Sequence, residues 1–136
     1  MRKVLSILAV FFVVLFIVSC SATTAHIDNV QMCSSITDNQ CSSDVSNFTT
    51  ITPELFISCK LKNASENTDV NFAWFYHGQQ KIAIDQVTMS SGNNIGTLNL
   101  QASLSKPTNG WPQGEYEVII SIVGFEKDVV KSFSVQ

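Results

Sequence analysis

The sequence predicts an all-β fold, a sandwich of two sheets with about seven strands, which follows an N-terminal signal segment in a chain of 136 residues. Apolar and polar residues alternate with period two through most of the chain, as in strands that are buried on one face. Clusters of Gly, Asn, Ser and Pro separate the alternating runs, and no later run has the length and period of a helix. Short strands at this spacing are typical of two packed sheets with Greek-key connections.

The first element is the N-terminal segment, where Arg2 and Lys3 precede an apolar run from Val4 to Val18. A short positive start followed by an apolar stretch of this length is typical of a secretory signal. The sequence therefore predicts a signal over residues 1–19, and this signal is not expected to be part of the fold.

The end of the run, Ile17-Val18-Ser19-Cys20, resembles the lipobox of prokaryotic lipoproteins. The resemblance implies that the chain is cut before Cys20, that lipid is attached to the Cys20 thiol and that the protein is anchored on the extracytoplasmic side of the cell envelope. Acylation with two or three chains would give a stable membrane anchor. Two alternatives remain open. Cleavage after Ala22 or Ala25 would give a freely secreted protein, and an uncleaved anchor is conceivable because the run almost spans a bilayer.

Residues 20–26 are small and polar and are predicted to form a tether to a single domain over residues 27–136. An edge strand, Ile27–Cys33, and a long polar loop are expected to occupy residues 27–52. Further strands are expected at Leu55–Leu61, Val70–Tyr76, Lys81–Met89, Leu98–Leu104 and Tyr116–Ile122, with a last strand that ends at Val135. Within the last strand, Val130 is out of phase with Phe133, which predicts a β-bulge.

Three cysteines follow Cys20, and an exported chain meets an oxidising compartment in which disulfides form. Cys33 and Cys41 flank a turn-like segment, whereas Cys59 lies within an alternating apolar run. The sequence therefore predicts a disulfide between Cys33 and Cys41 and a free, buried thiol at Cys59. The chain contains no Cys-x-x-Cys pair and its histidines are distant from the cysteines in sequence, so no metal site is expected.

Three residues occur in the order found in immunoglobulin domains: Cys59 on the second strand, Trp74 on the third and Tyr116 at the start of the sixth. The chain resembles that family, which implies that Trp74 is a core residue and that the Tyr116 hydroxyl holds the corner at the start of its strand. Val118 stands where the family has its second cysteine. The inter-sheet disulfide of the family therefore cannot form, and Cys59 is expected to be a small core residue.

Residues 48–136 also resemble a group of uncharacterised immunoglobulin-like domains of prokaryotic exported proteins. The similarity lies in Trp74-Phe75-Tyr76, in the segment Pro107–Val118 and in Phe133-Ser134-Val135. These motifs are structural, so the resemblance implies no catalytic residue. Trp111, within the second motif, is expected to cap one end of the core.

The charge of the chain is mildly negative, with 8 basic and 11 acidic residues and no basic cluster. This composition argues against nucleic acid as a partner. The partners expected from the sequence are instead the membrane, through the lipid anchor, and another envelope or extracellular protein.

Residue types that carry chemistry are scattered along the chain. His26 lies in the predicted tether and His77 in a predicted turn, and neither is near a serine or cysteine with the features of a nucleophile. Glu115 and Glu117 share an outward face, where charged residues are usually solvated. The sequence contains no phosphate-binding loop and no dinucleotide fingerprint, so no catalytic residue, cofactor or enzymatic activity is expected.

One group of residues favours binding. If Trp74 and Tyr116 point inward, then Phe75, Ile119 and Val123 point outward on neighbouring strands and would form an exposed apolar patch. Coverage of this patch by the long polar loop is the alternative. The sequence therefore predicts a non-enzymatic binding or accessory module of the cell envelope. The alternative functions are a structural or assembly subunit that pairs β-strands and a freely secreted binding protein.

Overall fold

Alternating apolar residues form strands throughout the part of the chain that the computed structural model describes, residues 24–136. Within that part there are eight β-strands and no helix. The strands are β1 His26–Cys33, β2 Asn47–Phe48, β3 Glu54–Ala64, β4 Asp69–His77, β5 Lys81–Ser90, β6 Gly96–Ser105, β7 Gly114–Ile122 and β8 Val129–Val135. The predicted signal over residues 1–19 and the predicted lipid site at Cys20 lie outside the described residues.

The strands form two sheets, which confirms the predicted all-β sandwich. One sheet has the strand order β1-β3-β6 and the other has the order β2-β8-β7-β4-β5. Every pair is antiparallel except β2 with β8. There are eight strands rather than about seven, because Asn47 and Phe48 in the predicted loop pair with Ser134 and Val135. The order β8-β7-β4-β5 matches the sheet of immunoglobulin variable domains that contains strands G, F, C and C′.

The core lies between the two sheets and is built from the inward-facing residues of both. Aromatic rings gather around Phe133 of β8. Its ring stacks on Tyr116 at a centroid distance of 5.1 Å and meets Trp74 edge-on at 6.2 Å, while Phe48 of β2 meets it edge-on at 5.8 Å. Cys59 is buried in the same core, and burial raises the pKa of its thiol to about 12.

The segment between β1 and β3 crosses the outer face of the three-stranded sheet. A disulfide joins Cys33 to Cys41, which confirms the predicted pairing. The Cys41 amide then donates to the Ser58 hydroxyl of β3 at 3.0 Å, and the Gln40 side chain donates to Asn99 of β6 at 2.7 Å. Because Ser58 and Asn99 alternate with core residues, both point away from the core. The first part of the segment therefore lies on the outer face of the small sheet, and β2 then joins the edge of the large sheet beside β8.

The β-bulge predicted at Val130 is absent, and this prediction is wrong. β7 and β8 pair without a break from Gly114 opposite Val135 to Ile120 opposite Val129. Val129 is the residue in phase with Phe133, whereas Val130 points to the outer face of the large sheet, where it is 53% exposed. The prediction failed because it assumed that Val130 belongs to the core, whereas its side chain is exposed to solvent.

The connection between β6 and β7 is clamped against the segment that precedes β3. Trp111 donates its backbone N–H to the Thr50 carbonyl at 2.9 Å and its indole N–H to the Thr52 carbonyl at 2.7 Å. Gly110 precedes it with a φ of 80°, and an added Cβ would lie 2.8 Å from the Thr50 oxygen. The close approach of the two backbones therefore requires glycine.

Candidate functional site

The three residues predicted to form an apolar patch lie on the outer face of the large sheet, but they do not form one bare surface. Phe75 on β4 and Ile119 on β7 are half-buried, and Val123 follows the end of β7 and is 59% exposed. Lys81 of β5 lies over the Phe75 ring, with its Nζ 4.4 Å from the ring centroid. A cation–π contact therefore covers the aromatic member of the predicted patch.

Polar side chains surround Phe75. The Lys81 ammonium pairs with Glu117 of β7 at 2.6 Å, and the His77 ring lies 3.2 Å from the same carboxylate. The hydrogen bond from Lys81 outweighs desolvation and, with the bond from His77, holds the pKa of Glu117 below its usual value. Phe75 and Glu117 are directly opposite each other in the sheet. This part of the outer face is therefore an ion-paired surface.

A row of apolar residues crosses the outer face beside these ion pairs. Ile119 lies opposite Ala73 of β4 and opposite Val130 of β8. Val130 was missed as an outward residue, although its alternation with Ser132 and Ser134 signals that orientation. Exposed apolar residues scattered singly are normal on protein surfaces, and the well-exposed valines of this face lie at its margins.

A second apolar surface lies on the inner face of β5, at the open side of the sandwich. β1 packs against β7 and β8 of the large sheet, so the strand orders put β6, the opposite edge of the small sheet, on the side of β4 and β5. Because the small sheet has three strands and the large sheet has five, the small sheet leaves the inner face of β5 partly uncovered. Ile82 and Val87 share the face of Tyr76 and Phe72 of β4. They are nevertheless 54% and 38% exposed, and Ile84 between them is 42% exposed.

A cleft of about 270 Å³ opens beneath the start of β5, between this strand and the connection from β6 to β7. The lining is almost entirely apolar and consists of Tyr76, Ile82, Ala83, Ile84, Pro107, Trp111, Pro112 and Tyr116. Concave apolar sites of this kind are the usual form of ligand pockets. Because a cavity of about 150 Å³ holds benzene, the cleft has room for one aromatic ring.

Two tyrosines contribute to the walls of the cleft, and both of their hydroxyls are engaged. The Tyr116 hydroxyl donates to the Pro112 carbonyl, four residues upstream, in the arrangement of a tyrosine corner. The Tyr76 hydroxyl donates to the Gln113 carbonyl at 2.9 Å, and the two rings lie 4.9 Å apart. Burial, with a contribution from Tyr76, raises the pKa of Tyr116 to about 12. The hydroxyl donors of both tyrosines therefore already have acceptors.

Replacing Tyr116 by phenylalanine is expected to lower the free energy of unfolding by about 1.5 kcal/mol, because the Pro112 carbonyl loses its donor. The matched control is Tyr76→Phe, since the hydrogen bond of Tyr76 to Gln113 is exposed to water. The expected loss for the control is below about 0.5 kcal/mol. Urea unfolding of both variants measures the difference, and equal losses would contradict the corner role of Tyr116.

The two strands that border the open side differ in their protection against pairing with another chain. β5 is bulged where Trp74 and Phe75 pair with Asp85 and Ala83, and Asp85 shares the inward face of Trp74. Bulges and inward charges are devices that protect edge strands. β6 has a ten-residue edge without charge or proline, and β3 is its sole partner within residues 24–136. Of these two edges, β6 is therefore the one open to an added strand.

Within residues 24–136, no group of three or more His, Cys, Asp or Glu side chains is arranged to hold a metal ion. The two histidines have local partners: His26 contacts the Thr24 carbonyl at 2.8 Å, and His77 pairs with Glu117. The same part of the chain contains no helix with the length and apolar character needed to cross a membrane.

Comparison with known proteins gives a distant likeness in fold. No family model matches the chain, and no curated protein matches its sequence. The structure of the alkylpurine DNA glycosylase AlkC of Pseudomonas fluorescens, bound to DNA containing an abasic site analog, is similar with a TM-score of 0.46 and 10% sequence identity. The match covers 82% of this chain and 30% of that chain, so this chain spans less than a third of the length of its neighbour.

This comparison corrects the prediction about partners. The sequence predicted the membrane and another envelope or extracellular protein and excluded nucleic acid, and a structural neighbour bound to DNA contradicts that prediction. Net charge averages over the whole chain and is too coarse to exclude a class of partner. At a TM-score of 0.46 the likeness assigns no DNA-binding role to this chain, and the exclusion of nucleic acid is withdrawn.

Proposed function

We propose that this chain is a lipid-anchored, extracytoplasmic binding module without enzymatic activity. The anchor is proposed on the sequence, where Ile17-Val18-Ser19-Cys20 closes an apolar run behind a positive start. Residues 1–19 would be removed, and Cys20 would become the lipid-bearing N-terminus of the mature chain. The disulfide between Cys33 and Cys41 supports export, because disulfides persist in oxidising compartments.

The binding role rests on one observation above the others: the apolar side chains on the inner side of β5 are uncovered. Ile82, Ile84 and Val87 are each more than a third exposed, although Phe72, which lies opposite Val87 on β4, is fully buried in the core. Full burial of such a side chain is worth about 1.5–3 kcal/mol. A partner that covers the three side chains would recover part of this free energy, and contiguous exposed apolar surface is typical of interaction sites.

The free edge of β6 supports a specific mode of binding. An extended segment that hydrogen-bonds to β6 would lie about 4.8 Å beyond it, in the plane of the small sheet. In that position its inward side chains face β5 and cover Ile82, Ile84 and Val87. Addition of a strand to a free sheet edge is a recurring mode of polypeptide recognition, in which the main chain gives affinity and the side chains give specificity.

The same edge favours a second candidate function, a structural or assembly subunit that remains paired with a strand of its partner. β6 fits this role better than β5, because the bulge and the inward Asp85 protect β5 from pairing. The two functions differ in the lifetime of the complex. A binding module exchanges its partner in solution, whereas an assembly subunit retains the partner through purification.

Site-specific photo-crosslinking in the full chain, expressed in its own cells, tests the binding surface. A photoreactive residue in place of Ile84 is expected to give a discrete adduct, because this side chain lies on the uncovered face. Ile82→Ser in the same chain is expected to reduce the adduct about fivefold, since it removes apolar surface next to the probe. The yield is measured on blots of the extracted protein, and the adduct is identified by mass.

The outer face of the large sheet supplies the control. A photoreactive residue in place of Val130 has similar exposure and is expected to give no discrete adduct. The substitution Val123→Ser is expected to leave the adduct at position 84 unchanged. An adduct at position 130 and none at 84 would transfer the binding role to the surface that contains Ile119. No adduct at either position would contradict the proposed function.

A further inference from the structure

We propose that the cleft beneath β5 receives a single aromatic side chain from a strand that adds to β6, and that Asp85 pairs with a basic residue two positions away on that strand. This inference rests on the proposed function, because it specifies the sequence of the polypeptide segment that the open side of the sandwich accepts.

The cleft selects for one apolar ring. Its volume of about 270 Å³ exceeds what one benzene molecule needs and is smaller than a site for a drug-sized ligand. Tyr76, Trp111 and Tyr116 present rings to it, which favours offset or edge-on contacts with another ring. All three of their polar hydrogens are already donated to backbone carbonyls. An acceptor group on the incoming side chain would therefore find no donor on these residues, and phenylalanine fits better than a side chain that must accept hydrogen bonds.

Asp85 supplies a charge beside the cleft. Its carboxylate shares the inward face of β5 and accepts the Gln86 amide at 2.8 Å. The ion pairs within residues 24–136 use the carboxylates of Asp28, Asp44 and Glu117, which leaves Asp85 without a cation there. A lysine or arginine on the inward face of the added strand would lie across from it. An exposed pair of this kind contributes mainly specificity, because solvent screens its attraction.

The geometry of β5 sets the spacing between the two recognised residues. Ile82 and Asp85 lie opposite Tyr76 and Trp74, which are successive inward positions of β4, because the bulge at Ile84 adds one residue to β5. Successive inward positions on a strand are about 7 Å apart. Two residues of the added strand that are separated by one residue have the same spacing. The segment therefore has the pattern aromatic-x-basic or basic-x-aromatic, according to the direction in which it runs.

Two synthetic ten-residue peptides test this pattern. Each has Val at the inward positions and Thr at the outward positions, except for one Phe and one Lys separated by a single residue, in the order Phe-x-Lys or Lys-x-Phe. We expect one order to bind the full, lipid-anchored chain in detergent, as measured by fluorescence anisotropy of a labelled peptide. Replacing Phe by Ala in that peptide is expected to weaken binding about tenfold, as for an anchor side chain in a pocket. Replacing Lys by Gln is expected to weaken it about threefold.

Variants of the protein locate the two contacts. Asp85→Asn is expected to bind the Lys and Gln peptides equally, and Ile84→Ser is expected to remove most of the preference for Phe over Ala. Val130→Ser, an exposed valine on the other face, is the control and is expected to change neither preference. A Phe preference that survives Ile84→Ser, or a Lys preference that survives Asp85→Asn, would overturn the proposal.

Two further readouts separate failure of the cleft from failure of strand addition. Hydrogen exchange of the β6 amides reports strand addition, and the NMR signal of the Trp111 indole N–H reports occupancy of the cleft by toluene as a ring probe. If an all-Val peptide protects the β6 amides and binds as tightly as the peptide with Phe, strand addition is supported but the aromatic pocket is overturned. A shift of Trp111 by toluene without binding of any peptide would overturn strand addition. The absence of both signals would overturn the two together.

Discussion

Replacing Gly110 by alanine is expected to lower the free energy of unfolding by about 3 kcal/mol, because the backbone conformation and the space at this position both oppose a side chain. The φ of 80° lies in the left-handed region, and the new Cβ would be 2.8 Å from the Thr50 carbonyl oxygen. That oxygen accepts the Trp111 amide, so it cannot move away without loss of a hydrogen bond. Urea unfolding of the variant measures the loss.

Gly124 provides a matched control for this substitution. Its φ is 89°, but nothing lies within 4 Å of an added Cβ. Gly124→Ala therefore isolates the conformational cost, which is expected to be about 1 kcal/mol. The excess loss in Gly110→Ala then measures the clash with Thr50. Equal losses in the two variants would show that the β6–β7 connection can move away from Thr50 without a further loss of stability, and would contradict a tight contact between the two segments.

The substitution Cys20→Ser is expected to abolish acylation of the chain completely, because serine has no thiol to carry the lipid. Ser19→Ala is the control, since it keeps a small residue before the cleavage site, and this variant is expected to remain anchored. Fractionation and the intact mass of the extracted chain measure both outcomes. In the wild type, the mass should correspond to a chain that starts at Cys20 and carries acyl groups.

The same mass measurement separates the anchored module from a secreted one. A mature chain that starts after Ala22 or Ala25 and carries no lipid would contradict the proposed anchor. Alkylation before and after reduction adds an internal check. The disulfide between Cys33 and Cys41 predicts that reduction exposes two further thiols to alkylation.

Local signals in the sequence were sufficient to predict the sandwich and its Cys33–Cys41 disulfide. Period-two alternation gives the strands directly, because side chains on a strand alternate between core and solvent. The Cys33–Cys41 disulfide spans eight positions, and the corner bond of Tyr116 spans four. Such short-range pairings depend on little besides the residues between them.

The candidate site could not be predicted in the same way, because it depends on the widths of the two sheets. The alternation in Lys81–Ser90 indicates a strand, but it does not indicate that the opposite sheet stops short of that strand. Phe75 was predicted to be exposed from its phase alone. The covering of its ring by Lys81 depends on the pairing of β4 with β5 across the bulge. The alternation of residues along one strand therefore predicts neither the uncovered side of β5 nor the contact of Lys81 with Phe75.

If the chain is exported as proposed, the positions of its cysteines set the order in which their thiols reach the oxidising compartment. A chain that crosses the membrane from its N-terminus presents Cys33 and Cys41 to the oxidising compartment before Cys59. Their short loop closes at a small entropic cost. Once β3 folds, Cys59 is buried with a pKa of about 12, so it supplies almost no thiolate, the form that attacks disulfides. Packing of β3 therefore prevents Cys59 from attacking the Cys33–Cys41 disulfide.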